Sequence, residues 1–291
     1  VTQSLPFSGL HDDLRGRRRL ALLRQPSVVV SVLLLAFVAA CAVAQAIIAP
    51  NATQQDILLG TTAPGTPGHL LGTDTLGRDI IELTLGGART AISGPLVIAF
   101  GSMLLGIALG TPAGYFGGFA DGVIARWADL LLALPAVLLA MVVAGIMGGG
   151  YLVTVALLIV LFSPSDIRLV RGAVIEQKTL PYIESARVLK MPAWRIMYGQ
   201  ILPNVVPVVI ANFMLNIAYA IVAMSSLSYL GLGVGPGSAD WGRQAADGQA
   251  ILGGNPAAMI APVIMIVATA TAINVTGDWL FERLNARAAA R

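Results

Sequence analysis

The sequence predicts an all-α integral membrane protein with six transmembrane helices and both termini on the inner side (N-in/C-in). Three observations carry that prediction. The chain is 56% hydrophobic and 11% charged, whereas soluble proteins carry about 25% charged residues. So few charges cannot cover a water-facing surface. Six apolar runs, 28–49, 91–113, 128–147, 151–167, 204–225 and 256–275, approach or reach the roughly 20 residues a helix needs to cross hydrocarbon. They must be helices, because a backbone in lipid has to satisfy its own hydrogen bonds. Finally, the basic residues are unevenly placed. Of the 18 Lys and Arg, only Arg78, Arg89 and Arg243 fall in the segments opposite the N-terminus. Cytoplasmic segments collect such residues.

The elements follow in order. Residues 1–27 form a polar, arginine-rich cytoplasmic tail that orients the first transmembrane helix, 28–49. Val38-Ala39-Ala40-Cys41 resembles a lipoprotein cleavage box. The apolar run around it is longer than a signal-peptide core and is preceded by a long polar stretch, so Cys41, the single cysteine, is expected to pack within the first span. Residues 50–87 form an external segment with a short helix. Thr73 or Asp74 can cap that helix near Thr75, which sets Asp74 and Arg78 four apart on one face. Residues 88–278 make a five-helix core. Its first helix carries Gly106, Gly110 and Gly114 at intervals of four, a spacing that lets two helices approach closely in lipid, within the bundle or between subunits. "YFGGFADG" (115–122) reads as an inner turn and "GGG" (148–150) as an outer one. The largest inner loop is 168–203. The segment 228–256 is external and rich in Gly and Pro, and 279–291 is a short amphipathic cytoplasmic tail.

The inner loop holds a charged elbow, "YIESARVLKMPAWRIMYGQILPNV" (182–205). Read as a helix, 182–190 puts Tyr182, Ala186 and Leu189 on one side and Glu184, Arg187 and Lys190 opposite. That helix is too short to be stable alone. Pro192 ends it and can begin a second, in which Trp194, Met197, Tyr198 and Ile201 recur at helical spacing. Pro203 then marks the entry to the fifth span. By composition such an elbow rests on lipid headgroups or docks in a partner's groove.

Chemistry of other kinds is missing from the sequence. His11 and His69 are the only histidines, and no zinc spacing exists. The phosphate-binding loop of ATPases needs Gly-Lys-Ser/Thr, and neither Lys178 nor Lys190 fits it. The chain is therefore not expected to be an enzyme; catalytic and metal-ligating residues are none. No basic run interleaved with aromatics suggests nucleic acid. Within the spans, polar groups are sparse. Asp166 lies near the inner end of the fourth. Asn212 and Asn216 share a face of the fifth with Tyr219 close by, where they line a path or bond a neighbouring helix. The scarcity of mid-span carboxylates argues against an ion-driven transporter.

A resemblance chooses between the readings of the elbow. It is similar to the "EAA" loop of bacterial ABC-importer permeases: Glu-Ala-Ala, three residues, Gly, then about a dozen residues to Leu-Pro. Glu184-Ser185-Ala186 matches the start and Leu202-Pro203 the end, with Ser185 for the middle alanine and Lys190 for the glycine. "HLLGTDTLGRDII" (69–81), "AGYFGGFAD" (113–121), "LSYLGLGV" (227–234), Trp241-Gly242 and "NVTGDWLFERL" (274–284) resemble the dipeptide, oligopeptide and nickel permeases, on the side of the second ("C") subunit. The family's closing Asp-Pro-Arg is Asn285-Ala286-Arg287 here.

The resemblance implies a type-1 ABC importer permease fold in the bacterial cytoplasmic (inner) membrane. It implies a homologous second permease subunit, two ATPase domains, an extracytoplasmic substrate-binding protein and a peptide substrate. It implies no cofactor in this chain, with ATP and Mg bound by the ATPase subunits. Glu184, Ser185, Ala186, Arg187 and Lys190 would couple to the ATPases. Asp74, Arg78 and Asp79 would form an external gate or a receptor-docking surface, or simply an ion-paired helix. Asn212, Asn216 and Tyr219 are the candidate pathway. Other readings are a nickel or other small-solute permease, a stand-alone channel or secondary transporter, and a non-transporting scaffold.

Overall fold

The computed structural model describes residues 26–288, whose regular structure is helical, with two isolated β-bridges in the loop before Ile80. The basic tail up to residue 25, and residues 289–291, lie outside the described residues. Helix α1 spans Pro26–Val43 and is followed by one further turn, Gln45–Ile48. After a long loop come α2 (Ile80–Gly86), α3 (Ala88–Phe116), α4 (Gly118–Leu132), α5 (Ala136–Met147) and α6 (Tyr151–Gln177). The elbow helix α7 is Pro181–Val188. Then α8 runs Ala193–Tyr229, with a π-helical turn at Ile196–Ile201. Helix α9 is Trp241–Gln249, and α10, Ala257–Ala288, continues from the last span through most of the expected tail.

Five helices are long and apolar enough to span a bilayer: α1, α2 with α3, α6, α8 and α10. The third expected span departs from expectation. The run 128–147 is two helices, α4 and α5, bent by 85°. Pro135 is the cause. It lacks an N–H, and its ring pushes the preceding residue out of the helical region. Twelve residues of α5 reach only about 18 Å, short of the roughly 30 Å hydrocarbon core.

The fourth span also differs. Helix α6 does not stop near Ile167 but runs to Gln177. Arg168 and Arg171, expected in a loop, lie on it and pair with Asp129 and Asp121 of α4. These pairs hold α4 against the extended end of α6. Asp166, expected near the inner end of the fourth span, consequently lies within a continuous helix, one turn before Val170, which packs against the elbow. The inner turn expected at 115–122 contracts to Gly117 and Gly118, both at positive φ.

The core forms where α3, α6 and α8 meet, with Ile98, Leu158, Leu161, Ala220 and Leu227 buried together. The glycine stripe decides the closest approach. A Cβ on Gly106 would lie 2.5 Å from Asp166 Cβ, and on Gly110 or Gly114 it would lie 2.8 Å from the carbonyl oxygens of Ile167 and Arg171. Real Cβ atoms do not approach so closely. Of the two roles open to the stripe, packing within the bundle is the one it performs. Gly110→Leu is therefore expected to drive α3 and α6 apart and lower the thermal stability of the purified protein by at least the ~1–3 kcal/mol of overpacking. Gly122, whose added Cβ would meet nothing within 4 Å, is the control: Gly122→Ala should leave the melting temperature in place. Equal melting temperatures for both variants would contradict the packing.

Cys41 is buried with Val38, Ala88, Ala91 and Trp241 where α1 leans on α3 and α9.

Candidate functional site

Three places concentrate polar structure: the elbow, a groove along α8, and the loops at the opposite face.

The elbow is a short helix anchored by few residues. Ile183 and Ala186 are buried against Val170 and Val174 of α6 and Ile196, Ile201 and Val205 of α8. Ser185 Oγ donates to the Pro181 carbonyl at 3.0 Å. The Arg187 guanidinium lies 5.5 Å from the centre of the Tyr115 ring at the end of α3. Glu184, Arg187, Val188, Leu189 and Lys190 remain exposed. Leu189, expected on the buried side with Ala186, is 76% exposed. The helix ends one residue before it, and the chain turns outward.

That turn is built by Lys190. Its φ is +54°, the only positive value for a non-glycine among the described residues. Met191 N–H donates to Ala186 O (3.1 Å) and Lys190 N–H to Arg187 O (2.9 Å), the paired bonds of a Schellman helix end. The residue in this position is usually glycine, because a side chain costs about 1–2 kcal/mol in the left-handed region. So the turn forms here with a lysine in it. The second elbow helix, however, is not separate. Pro192 starts it, and it continues unbroken into α8. The π turn just before Pro203 widens the register. The N–H that proline lacks is thereby absorbed where it would otherwise interrupt the helix.

The groove follows one side of α8. Two adjoining hollows of about 370 and 290 Å³ share Val222 and Ser226. The first reaches Asn212 and Asn216, with Ser165 and Phe162 of α6 opposite, and the second reaches Tyr229 and α9. Tyr219 lines the first hollow and is 66% exposed. Of the two roles the sequence left open for Asn212 and Asn216, the bond to a neighbouring helix is present. They line the groove, and each donates its amide to Asp166 Oδ1, from Asn216 at 2.8 Å.

At the opposite face, Asp74, Arg78 and Asp79 are not on one helix. The expected start near Thr75 is a turn, and α2 begins only at Ile80. Gly77, at φ +70°, interrupts any helix there. The cap is Asp79, which accepts from Ile81 N–H (2.8 Å) and Glu82 N–H (3.0 Å) and meets His69 Nδ1 at 2.9 Å. Asp74 instead closes the turn, accepting from the N–H groups of Leu76 and Arg78, both at 2.9 Å. Arg78 is 1% exposed and Asp74 4%. Arg78 Nε and Nη2 reach Asp74 Oδ2 at 2.7 and 2.6 Å, and Nη1 donates to Gly237 O at 3.2 Å. Asp247 of α9 lies 3.8 Å from Arg78 and 2.9 Å from Arg243. The ion pair is thus buried and networked, not exposed on a helix.

Three further residues tie this lobe together, of which the sequence points only to Trp241, by resemblance. Trp241, fully buried, donates Nε1–H to Thr84 O at 2.7 Å, and Gln244 Nε2 donates to Leu83 O at 2.7 Å. Both cap the carbonyl end of α2 from α9. Asn255 donates to the Thr62 and Leu71 carbonyls, both at 2.8 Å. Burial pushes the Asp240 carboxyl up, against hydrogen bonds that include Arg243 N–H at the start of α9. Nothing local in the sequence marks the contacts themselves.

Residues 102–290 match the family model described as the binding-protein-dependent transport system inner membrane component. The chain belongs to that family. It is a permease component of an ABC transport system and an integral membrane protein. The chain is 38% identical over 218 residues to the glutathione transport system permease protein GsiD of Pectobacterium atrosepticum, covering 75% of this chain and 72% of that one. It is 32% identical over 253 residues to the dipeptide transport system permease protein DppC of Bacillus subtilis, covering 87% and 79%. With the DppC of Haemophilus influenzae it shares 31% over 221 residues, covering 76% and 75%. In this permease the residues matched to the family loop divide by burial. Ala186 faces inward, and Glu184, Ser185, Arg187 and Lys190 face out.

Proposed function

We propose that this permease imports peptides across a bacterial cytoplasmic membrane, with α7 on the cytoplasmic side. A homologous permease would share the pathway, two ATPase domains would take the elbows, and an extracytoplasmic binding protein would deliver cargo to the face of α9. The observation that carries this reading is α7 itself. It is pinned by Ile183 and Ala186 and presents Glu184, Arg187, Val188 and Leu189 outward. An exposed apolar pair beside charges fits a protein groove. The names of the relatives support peptide cargo. The clustering of basic residues toward the elbow face supports the orientation.

ATP binding would draw the two elbows together. Because Ile183 and Ala186 are packed on both α6 and α8, a displacement of α7 moves the helices that line the groove. ATP hydrolysis, in the partners, would reset them. The shift extends only as far as each ligand favours one state. The external charge network would hold α2 and α9 as one body beneath the binding protein.

Purification of the tagged chain in mild detergent from its native membrane tests this. A second permease and an ATPase should co-purify, and peptide with its receptor should raise ATP turnover. A chain that comes alone, or a complex indifferent to peptide and responsive to nickel, would overturn the reading.

A further inference from the structure

Asp166 is 3% exposed in the middle of α6, and no cation pairs with it among the described residues. The neighbouring arginines on its own helix are committed elsewhere, Arg168 to Asp129 and Arg171 to Asp121. Asp166 Oδ2 has no hydrogen-bond partner at all. A carboxylate inside a membrane protein is costly and is normally paired or functional. Two asparagine amides, with the Ser102 hydroxyl of α3 close by, solvate this one.

Those asparagines are oriented by it. A carboxylate oxygen only accepts hydrogen bonds, so the amide nitrogens of Asn212 and Asn216 must face Asp166 Oδ1. Their carbonyl oxygens are then left free to accept from a donor in the hollow that both residues line. No basic side chain lines that hollow, and the rest of its wall is largely apolar. The result is a pair of acceptors backed by a buried negative charge, about midway along α8.

We propose that Asp166, Asn212 and Asn216 form a station on the groove wall for an ammonium group, such as the free amino terminus of a peptide in transit. The asparagine oxygens would touch the cation, and Asp166 would act through them as the positioning residue and as its counter-charge. The station rests on the reading of the groove as the pathway.

A charge-selective thiol probe tests it in the purified complex. In a Cys41→Ala background, Ser165→Cys places a thiol on the groove wall beside Asp166. It is reacted with 2-aminoethyl methanethiosulfonate, a cation, or 2-sulfonatoethyl methanethiosulfonate, an anion. Each forms a mixed disulfide and releases methanesulfinate. Relative to free cysteine, the cation should be favoured about tenfold, as expected of a unit charge several ångströms away in a partly shielded site. Asp166→Asn should abolish that preference, and Asn216→Leu, which leaves the carboxylate in place, should reduce it. No preference, or a preference that survives Asp166→Asn, overturns the station. If the Asp166→Asn complex does not assemble, Asn216→Leu decides: an unchanged preference overturns the proposal. Peptide uptake after labelling tests the pathway separately. Uptake untouched by full modification of Ser165→Cys would remove the groove from the pathway, whatever the charge preference.

Discussion

Complexes carrying Glu184→Arg are expected to lose peptide uptake about tenfold or more while the permease stays folded in the membrane. Glu184 is exposed at the first turn of α7 and enters no ion pair among the described residues. Replacing it should therefore cost no more than the ~0.5 kcal/mol typical of surface positions. Its effect on transport has a different scale. An interface hot spot contributes about 2 kcal/mol or more, and charge reversal adds repulsion wherever the partner presents a cation. The buried neighbours provide the contrast. Ala186→Glu would insert a charge between α6 and α8 and should lower the melting temperature as well as uptake. The measurements are uptake in vesicles, ATP turnover, and thermal melting in detergent. Glu184→Arg should uncouple the first two without moving the third. Wild-type uptake in that variant would show that the elbow is held by lipid headgroups instead.

Arg78→Ala is expected to be the most damaging single change at the opposite face. It removes a guanidinium that is almost wholly buried and bonded to Asp74, to the Gly237 carbonyl and toward Asp247. Removing one member of a buried pair strands the other, at a cost of about 3–5 kcal/mol. The loop 69–79 and α9 would lose their main tie, and receptor-stimulated ATP turnover should fall with it. Arg78→Lys should rescue poorly, since an ammonium cannot bond Asp74 through two nitrogens and also reach Gly237. The double variant Asp74→Asn, Arg78→Met should be more stable than Arg78→Ala, because no charge is then left unpaired. Thermal melting of the three variants decides the matter. If Arg78→Ala melts with the wild type, the pair is not holding this lobe.

Asp74 and Arg78 show how far spacing alone can lead. Their separation of four suggested a helix face, yet it is produced by a turn at Gly77 that folds Arg78 back on Asp74. An i, i+4 pair and a closed turn look alike in one dimension. Asp166 shows the same limit. The hydrophobic run ended at Ile167, because the arginines after it read as water-facing. Their partners, Asp121 and Asp129, lie far away in the chain. The helix nevertheless continues past the arginines to Gln177, and Asp166 is buried within it. The turn at Lys190 is a case where the departure from the family pattern changed less than it suggested: lysine takes up the left-handed conformation in place of glycine.

The amino-acid sequence by itself determined that this chain lives in a membrane and is helical, roughly where it crosses, and which family its loops belong to. Hydrophobic length, basic asymmetry and short motifs are all local along the chain, so they can be read without a fold. Tertiary structure alone decided which glycines touch which helix, that Pro135 bends the third expected span, that the charges at 74 and 78 are buried, and that Asn212 and Asn216 converge on Asp166. Each of these depends on partners dozens of residues apart, brought together by packing whose energy is summed over many side chains. In a bilayer, burial no longer separates apolar from polar along the sequence. It is the close approach of helices and the pairing of the few polar groups that choose the arrangement.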